Sequence, residues 1–211
     1  DLENLKQLAE AERYFKKALK LSEKNRFMKA SAHHELGVFY FKNFSRLPGG
    51  RTKNLKLAEM YFNKAINAPE RQRYSDWYAS SLSQLAAMYR RASMDPIWHQ
   101  APDECLEKAE SLHYKALKVL SNSLPKFIRF NQSATVYFNL SSVLFDAGRK
   151  VDACDALASA VENYIFAWEA VPVPSFISKV NLKPTHILPL AFARLNYFSD
   201  KYVHKELCKQ I

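Results

Sequence analysis

Apolar residues recur along this chain at intervals of three and four, the period that collects side chains on one face of an α-helix. Leu2, Leu5, Leu8, Ala11 and Phe15 line one side of the opening segment. The same period predicts helices near residues 2–23, 28–43, 53–67, 73–92, 103–121, 131–146 and 150–169, and a last one near 187–209. Before that last helix, Val171-Pro172-Val173-Pro174 excludes regular helix, because each proline lacks a donor and restricts the residue ahead of it. Thr185 is a candidate N-cap, Pro189 is tolerable in the first turn, and Leu188, Phe192, Leu195, Phe198, Tyr202 and Leu207 give this helix an apolar face. Such a face suits a cap over the core of the preceding helices.

Small and large residues alternate within the helices in a repeated frame. Leu36-Gly37-x2-Tyr40 precedes Ala58-x3-Phe62-x2-Ala65; Leu85-Ala86-x2-Tyr89 precedes Ala109-x3-His113-x2-Ala116; Leu140-Ser141-x2-Leu144 precedes Ala153-x3-Leu157-x2-Ala160. An unpaired second half, Ala11-x3-Phe15-x2-Ala18, comes first. The small residues allow a neighbouring helix to approach closely, and the large ones fill the hollows. These frames resemble the tetratricopeptide (TPR) repeat, a helix–turn–helix unit, over roughly residues 1–165. Only the last unit has the family's spacing of 12 residues between its small first-helix residue and second-helix alanine, Ser141 to Ala153, with Ala147-Gly148-Arg149 as the turn. The interval is 21 from Gly37 to Ala58 and 23 from Ala86 to Ala109, so insertions near 44–54 and 93–103 are expected. They carry Leu47-Pro48-Gly49-Gly50 and the Pro96 to Pro102 stretch, which includes Ile97 and Trp98. The resemblance implies an all-α fold, a right-handed α-solenoid of TPR-like helix–turn–helix repeats with a C-terminal capping helix. Residues 1–170 would form about three full repeats plus a leading half repeat, and residues 171–211 the proline-containing loop and cap.

Composition agrees with this fold class. With 211 residues, 48% of them hydrophobic, the chain can bury a sizeable core, and its four glycines are too few for a turn-rich β protein. No run approaches the length of a membrane span. The chain opens inside an amphipathic helix and so reads as a piece of a longer protein. Cys105, Cys154 and Cys208 form neither a disulfide framework nor a CxxC site, which points to a reducing intracellular compartment, cytoplasmic or nuclear.

The net charge of +10 is concentrated toward the N-terminus: residues 1–60 hold 13 Lys and Arg against 7 Asp and Glu. Lys16, Lys17, Lys20, Lys24, Arg26 and Lys29 form a candidate basic patch. The TPR resemblance implies that first helices line a concave groove. Its candidate partner contacts are His34, Phe41 and Lys42, then Ser83, Arg90 and Arg91, then Phe138, Ser142 and Phe145. Small residues leave room for a peptide, aromatics offer anchor pockets, and the cations pair with carboxylates. The expected partner is another protein, presenting a peptide or helix with apolar anchors and acidic flanks. The family's clamp for a C-terminal carboxylate would need Lys and Asn where His34 and Val38 stand.

An alternative is a structural subunit docked through its basic end and insertions, with nucleic acid as one candidate target, although no nucleic-acid motif accompanies the charge. Catalysis has little support: there is no phosphate loop, GxSxG elbow or HExxH pattern. His99, Cys105 and His113 fit no compact zinc spacing. No catalytic residue, metal site, cofactor or membrane partner is therefore expected, and the reading is a non-catalytic interaction module.

Overall fold

The computed structural model describes residues 2–68, 75–120 and 126–170. Among them are seven helices and no strand: α1 (Leu2–Leu21), α2 (Arg26–Lys42), α3 (Arg51–Ile66), α4 (Ser75–Ala92), α5 (Pro102–Leu120), α6 (Lys126–Asp146) and α7 (Lys150–Glu169). The terminal capping helix expected near 187–209 lies outside the described residues. Contacts divide the chain into two compact units, Asp1–Leu112 and His113–Ile211.

In the first unit consecutive helices pack on one another, most extensively α2 on α3, and α2 also touches α4. The small and large frames make this interface. Ala58, Phe62 and Ala65 on α3 are buried, as are Leu36, Gly37 and Tyr40 on α2. Gly37 lies directly against the Phe62 ring: a Cβ placed there would come within 2.6 Å of it. The missing side chain is therefore what lets the two helices close on a full phenyl ring.

One polar contact recurs between units of the pattern. Tyr40, the last residue of the first Leu-small frame, donates its phenol to Glu12 on α1 at 2.6 Å. Tyr89, the equivalent residue of the second frame, donates to Glu59 on α3. In both cases the glutamate follows the first alanine of the preceding Ala-x3-large-x2-Ala frame. Burial, reinforced by the carboxylate acceptor, holds both phenols protonated well above the usual tyrosine range. Further ring contacts support the stack: Phe15 meets Phe39 at 5.5 Å, and Tyr40 lies flat on Tyr61 at 5.6 Å.

The two insertions connect helices and fold back onto them. In the first, which joins α2 to α3, Asn54 is buried and donates to the carbonyls of Phe44 and Leu47, both at 3.1 Å. Gly49 and Gly50 turn the chain into α3 with φ of 97° and 89°, a region that glycine enters without steric cost. In the second, Asp95 accepts from the Ile97 amide at 3.0 Å. Trp98 packs inward at 6% exposure while Ile97 stays 77% exposed, so the tryptophan is part of the core.

In the second unit α6 packs along α7 around Leu140, Leu144, Ala153, Leu157 and Val161. The connection is short because Gly148, at φ 77°, ends α6 with Arg149 N–H bonded to the Leu144 carbonyl and Gly148 N–H to that of Phe145. That pair of bonds is a Schellman cap, which satisfies the last carbonyls of the helix. Tyr164, fully buried, meets the Thr135 hydroxyl at 3.1 Å across the helix pair.

Gly37→Ala tests the closeness of α2 and α3. Alanine gains about 1 kcal/mol of helix propensity over glycine. Overpacking against a ring that is itself fully buried costs about 1–3 kcal/mol. A net loss of stability is expected in urea unfolding, with an unchanged m-value; a variant as stable as the parent would contradict the close packing.

Candidate functional site

The expected partner contacts fall into two groups once the helices are packed. His34 is one of the covered ones. It is 6% exposed and sits between α2 and α4, with its Nδ1 2.9 Å from Ser81 Oγ and its ring 5.0 Å from that of Trp77 and 5.9 Å from that of Phe62. Ser81 donates its own hydroxyl to the Trp77 carbonyl at 3.0 Å, so it accepts from His34 and sets the proton on Nδ1. Ser83, 7% exposed, is likewise buried. The physical reason is that α4 packs against α2 as well as α3, which covers positions that a looser stack would leave open.

The contacts expected on α6 pack toward α7 to differing degrees. Ser142 is 4% exposed and its hydroxyl donates back to the Phe138 carbonyl at 3.4 Å. Phe138 and Phe145 are half-buried and pack against the Leu140, Leu144 and Leu157 cluster. These aromatics complete the core of the α6–α7 pair.

Phe41, Lys42, Arg90 and Arg91 remain at the surface, Lys42 and Arg91 exposed and Phe41 and Arg90 half-buried. The Arg91 guanidinium lies 5.3 Å from the centre of the Phe44 ring, and Arg51 lies 5.4 Å from the same ring. This ring gathers the end of α4, the start of α3 and the loop after α2 into one cationic, aromatic edge.

All six residues of the basic patch, Lys16, Lys17, Lys20, Lys24, Arg26 and Lys29, are exposed. Lys16 is paired with Glu12, which shares its carboxylate with Tyr40. Arg26 and Lys29 belong to a cleft of about 580 Å³ between the first turns of α2 and the last turns of α3, lined also by His33, Lys64 and Asn67. Lys64 and His33 were not singled out as functional by their sequence context. They are 31 positions apart, and only the hairpin brings them together; the available signal was that an antiparallel pair sets the start of its first helix beside the end of its second.

His33 is 9% exposed, its ring 5.9 Å from Tyr61, and its Nδ1 is buried without a hydrogen-bond partner. Burial and then the charges of Lys64 and Lys29 pull its pKa down to about 4. Burial alone does the same for His34, also to about 4. No group of three His, Cys, Asp or Glu among the described residues could hold a metal ion. His113 occupies a fully buried packing position of its frame.

A family model for the tetratricopeptide repeat matches residues 2–25, which contain the leading half frame. No curated protein matches the chain. With the helical hairpins of both units, the match makes this chain similar to a TPR-type helical repeat. No helix among the described residues is long and apolar enough to cross a membrane.

The two buried histidines make stability depend on pH. Both have folded pKa values below the ordinary 6.5, so between pH 6.5 and about 4 the unfolded chain binds more protons. Stability contributed by the neutral rings is complete above that window and is lost as pH falls through it. For His34 the loss reaches at most about 3 kcal/mol. Thermal unfolding followed from pH 7 to pH 4.5 should show a falling midpoint, and His33→Asn should flatten the slope; a flat profile in the parent would refute the buried neutral state.

Proposed function

We propose that this chain is a non-catalytic adaptor that holds a peptide or helix of another protein within a multi-protein complex. The observation that carries the reading is the cationic, aromatic edge of the first unit, where Phe41 and Lys42 end α2, Arg90 and Arg91 end α4, and Arg91 rests on Phe44. A half-buried aromatic beside guanidinium and ammonium groups suits a segment with apolar anchors and acidic flanks, since the ring takes the anchor and the cations take the carboxylates. The TPR-like repeats support it, because such scaffolds are typically interaction modules and not enzymes. Cys105 and Cys154 are both buried, in keeping with a reducing intracellular setting, cytoplasmic or nuclear.

A second reading is a structural subunit that docks through its basic N-terminal patch, and it has one observation in its favour: the six cations are all exposed. Nucleic acid is the less favoured target of that patch.

Charge reversal separates the two. In pull-downs with this chain, Arg90→Glu with Arg91→Glu should reduce partner capture at least about tenfold, the scale of losing charge-assisted hydrogen bonds. Lys16→Glu, Lys17→Glu and Lys20→Glu together should leave it within about twofold, as expected for rim charges. The opposite pattern would replace the adaptor edge with basic-end docking. A steep salt-dependent affinity for DNA or RNA would move the target to nucleic acid.

A further inference from the structure

The cleft between the start of α2 and the end of α3 lies at the other end of these helices from the edge just described, and its chemistry is different. Arg26, Lys29 and Lys64 line it with His33 and Asn67, and Ala30 and Ala68 keep the remaining wall low. The three cations make no ion pair among the described residues; the Lys64 ammonium instead lies 5.6 Å from the centre of the Tyr61 ring. Helix dipoles do not explain the arrangement. The positive end of α2 and the negative end of α3 meet there and oppose each other. Asn25 already caps α2 by accepting from the Met28 amide at 3.1 Å, so the excess charge belongs to side chains.

His33 supplies the second, independent observation. Its side chain is more than nine-tenths buried in the wall of the cleft and Nδ1 has no hydrogen-bond partner. A sealed nitrogen without a partner is less costly as a bare acceptor than as an orphaned N–H, so the neutral ring carries its proton on Nε2, a donor. The charged or titratable groups facing the ring are Lys29 from its own helix and Lys64 and Tyr61 from α3; none from α1 or α4 acts on it among the described residues. Among the described residues the charges that act on this ring are those of Lys64 and Lys29, and both favour an anion beside it.

We propose that this cleft binds a phosphoryl group carried on a phosphorylated segment of a partner protein, with Arg26, Lys29 and Lys64 neutralising the charge and His33 and Asn67 donating to its oxygens. A phosphoryl group brings nearly two negative charges and three acceptor oxygens at neutral pH. A single carboxylate brings one charge and two oxygens, which leaves most of this cluster uncompensated. The cleft volume of about 580 Å³ accommodates a phosphorylated side chain with its flanking backbone. The site is separate from the adaptor edge, and its test needs no partner, so either reading can fail alone.

The test is a chemical-shift titration of the full chain with inorganic phosphate, malonate and sulfate. Phosphate should give saturable shifts confined to residues 26–33 and 64–68, at an affinity at least about tenfold above malonate. Lys29→Gln with Lys64→Gln, its fold confirmed by an unchanged thermal transition, should lose that saturation, while Lys16→Gln with Lys17→Gln should keep it. Sulfate stays doubly charged across the range, and at saturation it should raise the His33 titration midpoint by about one pH unit or more, the tenfold gain in proton affinity expected from a contacting anion. Linear, non-saturating shifts, equal binding by malonate, a Lys29/Lys64 double variant that binds as the parent does, or an unmoved His33 midpoint would each overturn the proposal. The source is settled by a phosphoserine peptide, which should bind more tightly than inorganic phosphate; preference for vesicles bearing phosphorylated inositol lipids over that peptide would overturn the assignment to a protein partner.

Discussion

The most extensive interface of the first unit depends on how closely α2 approaches α3, and one missing methyl group sets that approach. Because Gly37 has no side chain, the Phe62 ring can lie where a Cβ would sit, and the helix axes come together across the most extensive interface of the unit. Once they do, Leu36, Leu55, Ala58 and Ala65 leave water almost completely. Close approach also brings α4 against both helices, which buries His34 and gives it Ser81 as partner. At the far end of the hairpin, the same approach sets Arg26 and Lys29 opposite Lys64.

The polar groups that this packing buries are mostly answered, and the answers give the stack its order. Tyr40 and Tyr89 reach back to a glutamate on the preceding helix, 28 and 30 residues earlier, so one hydrogen bond per repeat aligns each first helix on its predecessor. The last frame has Leu144 where these tyrosines stand, and α6 and α7 are held by an apolar cluster instead. Asn54 plays a comparable part for the first insertion, closing an irregular segment with two side-chain hydrogen bonds. Buried donors and acceptors that find partners favour one arrangement over its neighbours, because any slip would leave them unsatisfied. His33 Nδ1 departs from this pattern, and it sits beside the charges of Lys64 and Lys29.

The helices were legible in the chain. The 3.6-residue period located all seven that the structure describes, and their ends agree within about two residues except that α6 starts earlier, at Lys126 and not near residue 131, since burial of one stripe is a local property of sequence. The turn at Ala147-Gly148-Arg149 between α6 and α7 was also legible, and there Gly148 takes a positive φ. The candidate contacts were less so. Exposure was inferred from the family's open face, but His34, Ser83 and Ser142 are buried because helices beyond the nearest neighbour also pack on that face or because the aromatics around it turn inward.

What the order of residues determined by itself was the helical period, the places where it breaks, the small positions that admit a neighbour and the excess of positive charge toward the N-terminus. These follow from spacing and composition, which need no partner from elsewhere in the chain. Which cations stand together was decided only by tertiary structure: Lys64 joins Arg26 and Lys29, and Arg91 joins Arg51 over Phe44, through helices that are distant in sequence. A side chain's neighbours across an interface depend on the axial distance and rotation of two helices. Those quantities are settled by collective packing, and no local pattern encodes them.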